Sequence, residues 1–316
     1  MCKTIKFLIG LSLLCVAISA QALLSIEVTQ GVRSALPVAI VPFSGQGDLP
    51  DTQNVSDVIT QDLMNSGEFN VTPQKKLPAR PYSAKAIQLS SWRALGVQDM
   101  LVGSVQAQSG GNYRVAVNLV SVYQGDATKP VSASAILYSK VFTVKQDQLR
   151  SLAHQISNQV YKLLTGDDGI FTSHIAYVQV QPDKKHKGQM KYHLIVADYD
   201  GYNPKALVNS SEPLMSPTWA PNGKQIAFVS FQHTLPAIYD VNVATGKLHQ
   251  ITQLAGINGA PAWSPDGMKM AFVSSQTGQA KLYEMDLLTK NITQLTTGYS
   301  IDTEPSYSPD SSYLVF

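Results

Sequence analysis

The sequence predicts an α/β N-terminal domain followed by an all-β propeller. Three observations carry this. A length of 316 residues exceeds that of one typical domain. Helical and strand-like periodicities alternate as far as Gly166, after which the helical signal stops. Beyond that point one motif recurs: "PTWAPNGKQIAFVS" from Pro217, "PAWSPDGMKMAFVS" from Pro261 and "PSYSPDSSYLVF" from Pro305, which places Trp219, Trp263 and Tyr307 at a constant spacing of 44 residues.

Residues 1–22 have the pattern of an export signal. Lys3 and Lys6 precede the apolar run "FLIGLSLLCVAISA", and Ala20-Gln21-Ala22 supplies the small residues that cleavage requires. An apolar run of about 14 residues is shorter than the ~20 needed to span a membrane as a helix. Cleavage is therefore expected after Ala22. Cys15 follows Leu13 and Leu14 and not the small residues that lipoprotein processing requires. Both cysteines, Cys2 and Cys15, fall inside the signal, so the exported chain has no thiol for a disulfide, a metal or a nucleophile. Loss of Lys3 and Lys6 from a chain with 24 basic and 22 acidic residues leaves formal neutrality. That argues against nucleic acid, whose binding needs clustered cations. The densest basic run, "DKKHKGQMK" (Asp183 to Lys191), lies between two strand-like segments and reads as a solvated hairpin loop.

The α/β domain is expected over residues 23–166. "LPVAIVPF" (Leu36 to Phe43) reads as a buried strand and "VSDVITQDLMNSG" (Val55 to Gly67) as an amphipathic helix closed by glycine. "DMLVGSVQAQ" and "NYRVAVNLVSV" flank the turn "SGG", and "AILYSKVFTV" adds a third strand. A closing helix carries Leu149, Leu152, Ala153, Ile156, Val160 and Leu163 at helical spacing, with Asp147 as its expected cap and Gly166 as its stop.

The partial propeller is expected over residues 167–316, as WD40-like repeats of four short strands each. In the clearest copy "PAW", "KMAFVS", "LYEMDL" and "ITQLT" are the four strands, separated by Asp-Gly, Thr-Gly and Thr-Lys-Asn turns. "HIAYVQV" (His174 to Val180) begins an earlier, degenerate copy. A single blade cannot bury both its faces, and stacking in a ring solves this. Propellers have about 4 to 8 blades, and only about three are legible here, so the chain is expected to be C-terminally truncated, with an exposed strand edge that favours aggregation.

Catalytic motifs do not emerge. The sequence has no G-x-S-x-G elbow and no H-E-x-x-H, and its six histidines lack metal spacing. "DYDG" (Asp198 to Gly201) lacks the further ligands of a calcium loop and reads as a hairpin turn. The segments before each repeated proline, "SSEPLMS", "AGINGA" and "GYSIDTE", differ while the strands repeat, as loops of a shared rim do.

In order along the chain, "PVAIVPF", "DLMNSGEF", "SWRALGVQDMLVG", "VYKLLTG", "VADYDGYN", "LMSPTWAPNGKQIAFVS", "NGAPAWSPDG" and "TEPSYSPDS" closely resemble the TolB family of the Tol-Pal system. The resemblance implies a six-bladed propeller behind the α/β domain, a Gram-negative periplasm, and binding rather than catalysis; no cofactor or metal is expected. It implies two main partners, the lipoprotein Pal and the inner-membrane protein TolA, in support of outer-membrane integrity and of envelope constriction during cell division. Other envelope proteins and imported colicins are further implied partners. By resemblance, Met215, Ser216, Ala260, Thr303 and Glu304 contact Pal, and Leu23, Leu24, Ser25, Ile26, Glu27, Val28, Thr29, Gln30 and Gly31 form the TolA epitope. Ile257 departs from the histidine that members often carry before "NGAP". The competing class is the propeller of a prolyl-oligopeptidase-like serine hydrolase.

Overall fold

The computed structural model describes residues 34–45, 49, 54–233 and 235–316. The cleavage site at Ala22 and the segment Leu23 to Gly31 lie outside them.

The N-terminal part runs β1 (Leu36–Ile40), α1 (Val55–Asn65), β2 (Phe69–Val71), α2 (Leu89–Ala94), β3 (Asp99–Ala107), β4 (Asn112–Ser121), β5 (Ile136–Lys145) and α3 (Leu149–Thr165). Its sheet has the order β2-β1-β3-β4-β5. β1 is parallel to both β2 and β3, and the remaining pairs are antiparallel. Alternation along the strands divides the core between two faces. Val38, Ile40, Leu101, Val115 and Val117 meet Ile59 and Leu63 of α1 and Leu152 and Ile156 of α3, while Ala39, Met100, Val102 and Val120 on the other face meet Leu89 and Trp92.

α1 starts at Asn54, whose side chain accepts from the Asp57 amide at 3.2 Å, one of the donors that the first helical turn leaves free. α3 ends where Gly166 adopts φ 88°, with its amide on the Lys162 carbonyl at 3.0 Å. The expected cap of α3 is corrected. Residues Gln146–Gln148 form a 3₁₀ turn that sets Asp147 too early, Gln148 occupies the N-cap position, and its Oε1 accepts from the Lys145 amide at 3.1 Å. β2 and α2 are elements that periodicity left undetected.

Beyond Gly166 the regular elements among the described residues are all strands. The first blade is β6 (His174–Pro182), β7 (Met190–Asp198) and β8 (Lys205–Ser210). The second is β9 (Leu214–Trp219), β10 (Gln225–Ser230), β11 (Ala237–Asn242) and β12 (Leu248–Gln250). The third is β13 (Asn258–Trp263), β14 (Lys269–Ser274), β15 (Lys281–Asp286) and β16 (Ile292–Gln294), and β17 (Ser306–Tyr307) with β18 (Leu314–Val315) begins another sheet. Each full blade is an antiparallel meander, and the ring is not closed among the described residues.

Faces of successive blades meet through alternating residues. Ile226 and Phe228 turn toward Leu194 and Val196 of the first blade, whereas Ala227, Val229 and Ile238 turn toward Met270, Phe272 and Tyr283 of the third. Because both faces of β10 and β14 are covered, their sequences read as unbroken apolar runs. Trp219 and Trp263 pack half-buried against these two seams. Phe228 stacks on Tyr239 at 6.2 Å between ring centres, and Phe272 on Tyr283 at 5.9 Å.

Candidate protein-binding rim

In the second and third blades the first strand carries a bulge near its start. In the second blade Met215 pairs with Val229 and Thr218 with Ala227, so Ser216 and Pro217 together oppose Phe228. In the third, Gly259 pairs with Val273 and Ala262 with Ala271, so Ala260 and Pro261 oppose Phe272. Such an extra residue bends the strand and re-aims its side chains.

The backbone just before each repeated proline is unusual. Ser216, Ala260 and Glu304 have φ of 49°, 45° and 53°, in the left-handed region. None is glycine, and each precedes one of the repeated prolines, a position normally held extended. Strain of this type costs on the order of 1–3 kcal/mol per residue and persists only where the surroundings enforce it. Its recurrence at the 44-residue period makes it a property of the repeat.

The flanking loops are held rigidly. Asn258 is buried and donates from Nδ2 to the Leu254 carbonyl at 3.0 Å, while Ser275 Oγ accepts from the Ile257 amide at 2.9 Å. A Cβ on Gly256 would come within 2.5 Å of Ser275 Oγ, and φ there is 75°, so this turn needs glycine. One blade on, the buried Lys281 ammonium donates to the Ser300 carbonyl at 2.6 Å and to Asp302 Oδ2 at 2.9 Å. That ion pair sets the two residues that follow, Thr303 and Glu304, at the surface.

The structure places Met215 and Ser216 near the start of β9, Ala260 near the start of β13, and Thr303 and Glu304 in the loop just ahead of β17. Met215 is 51% exposed, Ser216, Thr303 and Glu304 are exposed, and Ala260 is half-buried. Ile257, at the position of departure, is 58% exposed on the same rim. The arrangement offers apolar contact from Met215 and Ile257, hydrogen bonding from Thr303 and Glu304, and a low entropic cost of ordering, because the loops are already fixed. Among the described residues it gathers no nucleophile with a base.

A second cluster joins the two parts of the chain, and sequence reading missed it. Asp62 on α1 is buried, with His154 Nδ1 of α3 at 2.9 Å and the Tyr199 hydroxyl donating at 2.5 Å. Arg150 pairs with Asp200 and lies over the Tyr202 ring at 4.1 Å. Tyr199, Asp200 and Tyr202 belong to "DYDGYN", the turn between β7 and β8, which thus fastens the first blade to both helices. Burial first, and then the neighbouring Asp62 carboxylate, raises the Tyr199 hydroxyl above the ordinary tyrosine range. Asp62, His154 and Asp200 offer ligand atoms within 4.8 Å of one another. Their donor set does not suit a metal ion, because the Arg150 guanidinium already neutralises Asp200, and Asp62 is engaged by His154 and Tyr199. The only sequence signal for this cluster was the turn itself, since Asp62 and His154 occupy ordinary helical positions.

Residues 24–128 match the TolB amino-terminal domain, and residues 161–316 match the TolB beta propeller domain. The chain belongs to the TolB family. It is 40% identical over 259 residues to the Tol-Pal system protein TolB of Nitrosococcus oceani, covering 82% of this chain and 57% of that protein. It is 42% identical over 238 residues to the Tol-Pal system protein TolB of Coxiella burnetii, covering 75% of this chain and 52% of the relative. The crystal structure of TolB from Acinetobacter baumannii superposes with a TM-score of 0.76 at 34% identity, over 89% of this chain and 65% of that one. This TolB-family chain spans about half the length of the curated relatives it matches. No helix among its described residues is long and apolar enough to cross a membrane.

Proposed function

We propose that this chain is a non-catalytic, periplasmic protein-binding component of a Tol-Pal system. Its rim, with Met215, Ser216, Ala260, Thr303 and Glu304, takes the lipoprotein Pal. Its Leu23 to Gly31 segment is the epitope for TolA, whose alternating pattern suits addition to a partner's sheet. The two activities reside in the parts 23–166 and 167–316, coupled by a free energy of order 1–3 kcal/mol. The cellular role is support of outer-membrane integrity and of constriction at division, with other envelope proteins and colicins as further partners.

The observation that carries this reading is the strained backbone at Ser216, Ala260 and Glu304, repeated on one exposed rim. The bulged repeat enforces this strain, and strained backbone held on an exposed rim is the pre-organisation that supports a binding role. Titration calorimetry with the soluble periplasmic domain of the cognate Pal tests the reading. Replacing Thr303 by Arg is expected to weaken binding at least about tenfold, or ~1.4 kcal/mol. Unchanged affinity in a folded Thr303→Arg variant contradicts the rim assignment.

A further inference from the structure

The hairpin between β6 and β7 is built differently from its counterparts. Gln179, facing His193, occupies the place in the first blade that Ser230 and Ser274 hold in the others. The connection from there is 180–192, thirteen residues, against six in 231–236 and six in 275–280. Val180, Gln181 and Pro182 continue the ladder opposite Tyr192, Lys191 and Met190, so the hairpin projects by about 10 Å at ~3.3 Å per residue.

It projects from the binding rim. Ser210, the last residue of β8, pairs with Tyr192, and only Ser211 to Pro213 separate it from Leu214 and Met215. The base of the hairpin and the start of β9 therefore lie at the same end of the sheets.

The tip is folded around one acid. Asp183 accepts from the Lys185 amide at 2.8 Å, lies 2.8 Å from His186 Nδ1 and pairs with Lys191 at 3.4 Å, and these contacts hold its carboxyl at about 2. With that acid used internally, Lys184, Lys185 and Lys187 stand exposed, and among the described residues no acid pairs with them. The exposed apolar groups, Val180 and Met190, are on the shaft, while the tip 183–189 has none. A tip that inserted into a bilayer would need apolar groups at its leading end.

We propose that this hairpin is an electrostatic arm that meets an acidic protein surface, on the flank of whichever protein occupies the adjacent rim. The proposal rests on the rim reading above and names the chemistry of that partner: carboxylates beside its seat, opposite Lys184, Lys185 and Lys187. Exposed cations at the edge of an interface act mainly on encounter, by raising the association rate in a salt-dependent way.

The test uses the full chain, the triple variant Lys184→Gln/Lys185→Gln/Lys187→Gln, and the soluble domain of the cognate Pal, in stopped-flow association at about 20 mM and about 300 mM salt, where screening shortens from ~20 Å to ~6 Å. The expected result is a three- to tenfold slower association of the variant at low salt, convergence at high salt, and a nearly unchanged dissociation rate. Equal rates for both proteins at both salts, with intact melting curves, overturn the arm and leave the rim standing. Absence of Pal binding by either protein overturns both readings. Lysine-dependent sedimentation with phosphatidylglycerol vesicles, without any effect on Pal association, overturns the protein partner in favour of lipid.

Discussion

The ammonium of Lys281 lies 2.9 Å from the carboxylate of Asp302, and the two side chains are only 3% and 9% exposed. Lys281 stands at the start of β15 and Asp302 in the loop ahead of β17, so this pair ties two blades together directly beneath Thr303 and Glu304. Breaking one partner strands the other, which is the costly way to lose a buried pair. Lys281→Met is therefore expected to lower the melting temperature and to weaken rim binding together, whereas Lys269→Met, which removes an exposed partner of Glu284, affects neither much.

The same pair fixes an acid-sensitivity. The Lys281 ammonium, and then hydrogen bonds from Ser300 and Thr296, depress Asp302 to about 2. A carboxyl depressed in the folded state contributes stability that is full above its ordinary range near 4 and is lost as pH falls toward 2. Asp183 and Asp310, both also held at about 2, act in the same window. Denaturant titrations at about pH 5 and about pH 2.5 are expected to show a smaller acid loss for Asp302→Asn than for the parent. Equal losses contradict the assignment of Asp302.

Backbone strain gives a third expectation, with the same effect on stability at four positions and a different effect on binding at two of them. Ser311 has φ 61° where the preceding repeats have Gly223 and Gly267 at φ 66° and 71°, and Lys290 has φ 63° where Gly246 has 69°. Ser311→Gly and Lys290→Gly each stabilise by about 1 kcal/mol, since glycine occupies this region without the Cβ penalty. Ser216→Gly and Ala260→Gly also stabilise, but they weaken partner binding because the rim loses its enforced shape. Thermal melts and calorimetry on the four variants separate these outcomes. Destabilisation by Ser311→Gly contradicts the strain argument.

The fastening by the "DYDGYN" turn gives a fourth. Tyr199→Phe removes a donor from buried Asp62, at a cost of about 1–3 kcal/mol. The loss falls on the junction between the α/β part and the first blade, so scanning calorimetry is expected to resolve two transitions. A single transition at the parent temperature contradicts a fastening role.

A fifth concerns Ile257. On the proposed reading Ile257 belongs to the binding rim, and its side chain is exposed beside the fixed Asn258 turn. Ile257→His is expected to tighten Pal binding without altering stability, read by calorimetry. Weaker binding would mean that this rim has adapted to an apolar contact.

Most of the architecture was legible in the sequence because it rests on local rules. The helices at Val55 and Leu149 show in their apolar spacing, and the blades show in a period that repeats turn chemistry as well as hydrophobicity. β2 has three residues and α2 six, too few for a period to register. Asp147 is the type of residue that caps helices, yet the 3₁₀ turn that displaces it depends on the Gln148 side chain reaching back to Lys145. At the rim, the loops were visible as segments that vary between repeats. The left-handed backbone was not, because Ser216, Ala260 and Glu304 share no side-chain chemistry, and at Ser216 and Ala260 it comes with the bulges opposite β10 and β14. The cluster around Asp62 is invisible for a related reason: it unites residues 92 and 137 positions apart.

Hydrogen–deuterium exchange of the full chain with and without the soluble Pal domain tests the central claim most directly. Binding is predicted to protect amides in residues 214–218, 256–262 and 300–306, the three segments that hold the left-handed residues Ser216, Ala260 and Glu304. Protection confined to the opposite ends of the blades, around 221–224 and 265–268, would contradict it.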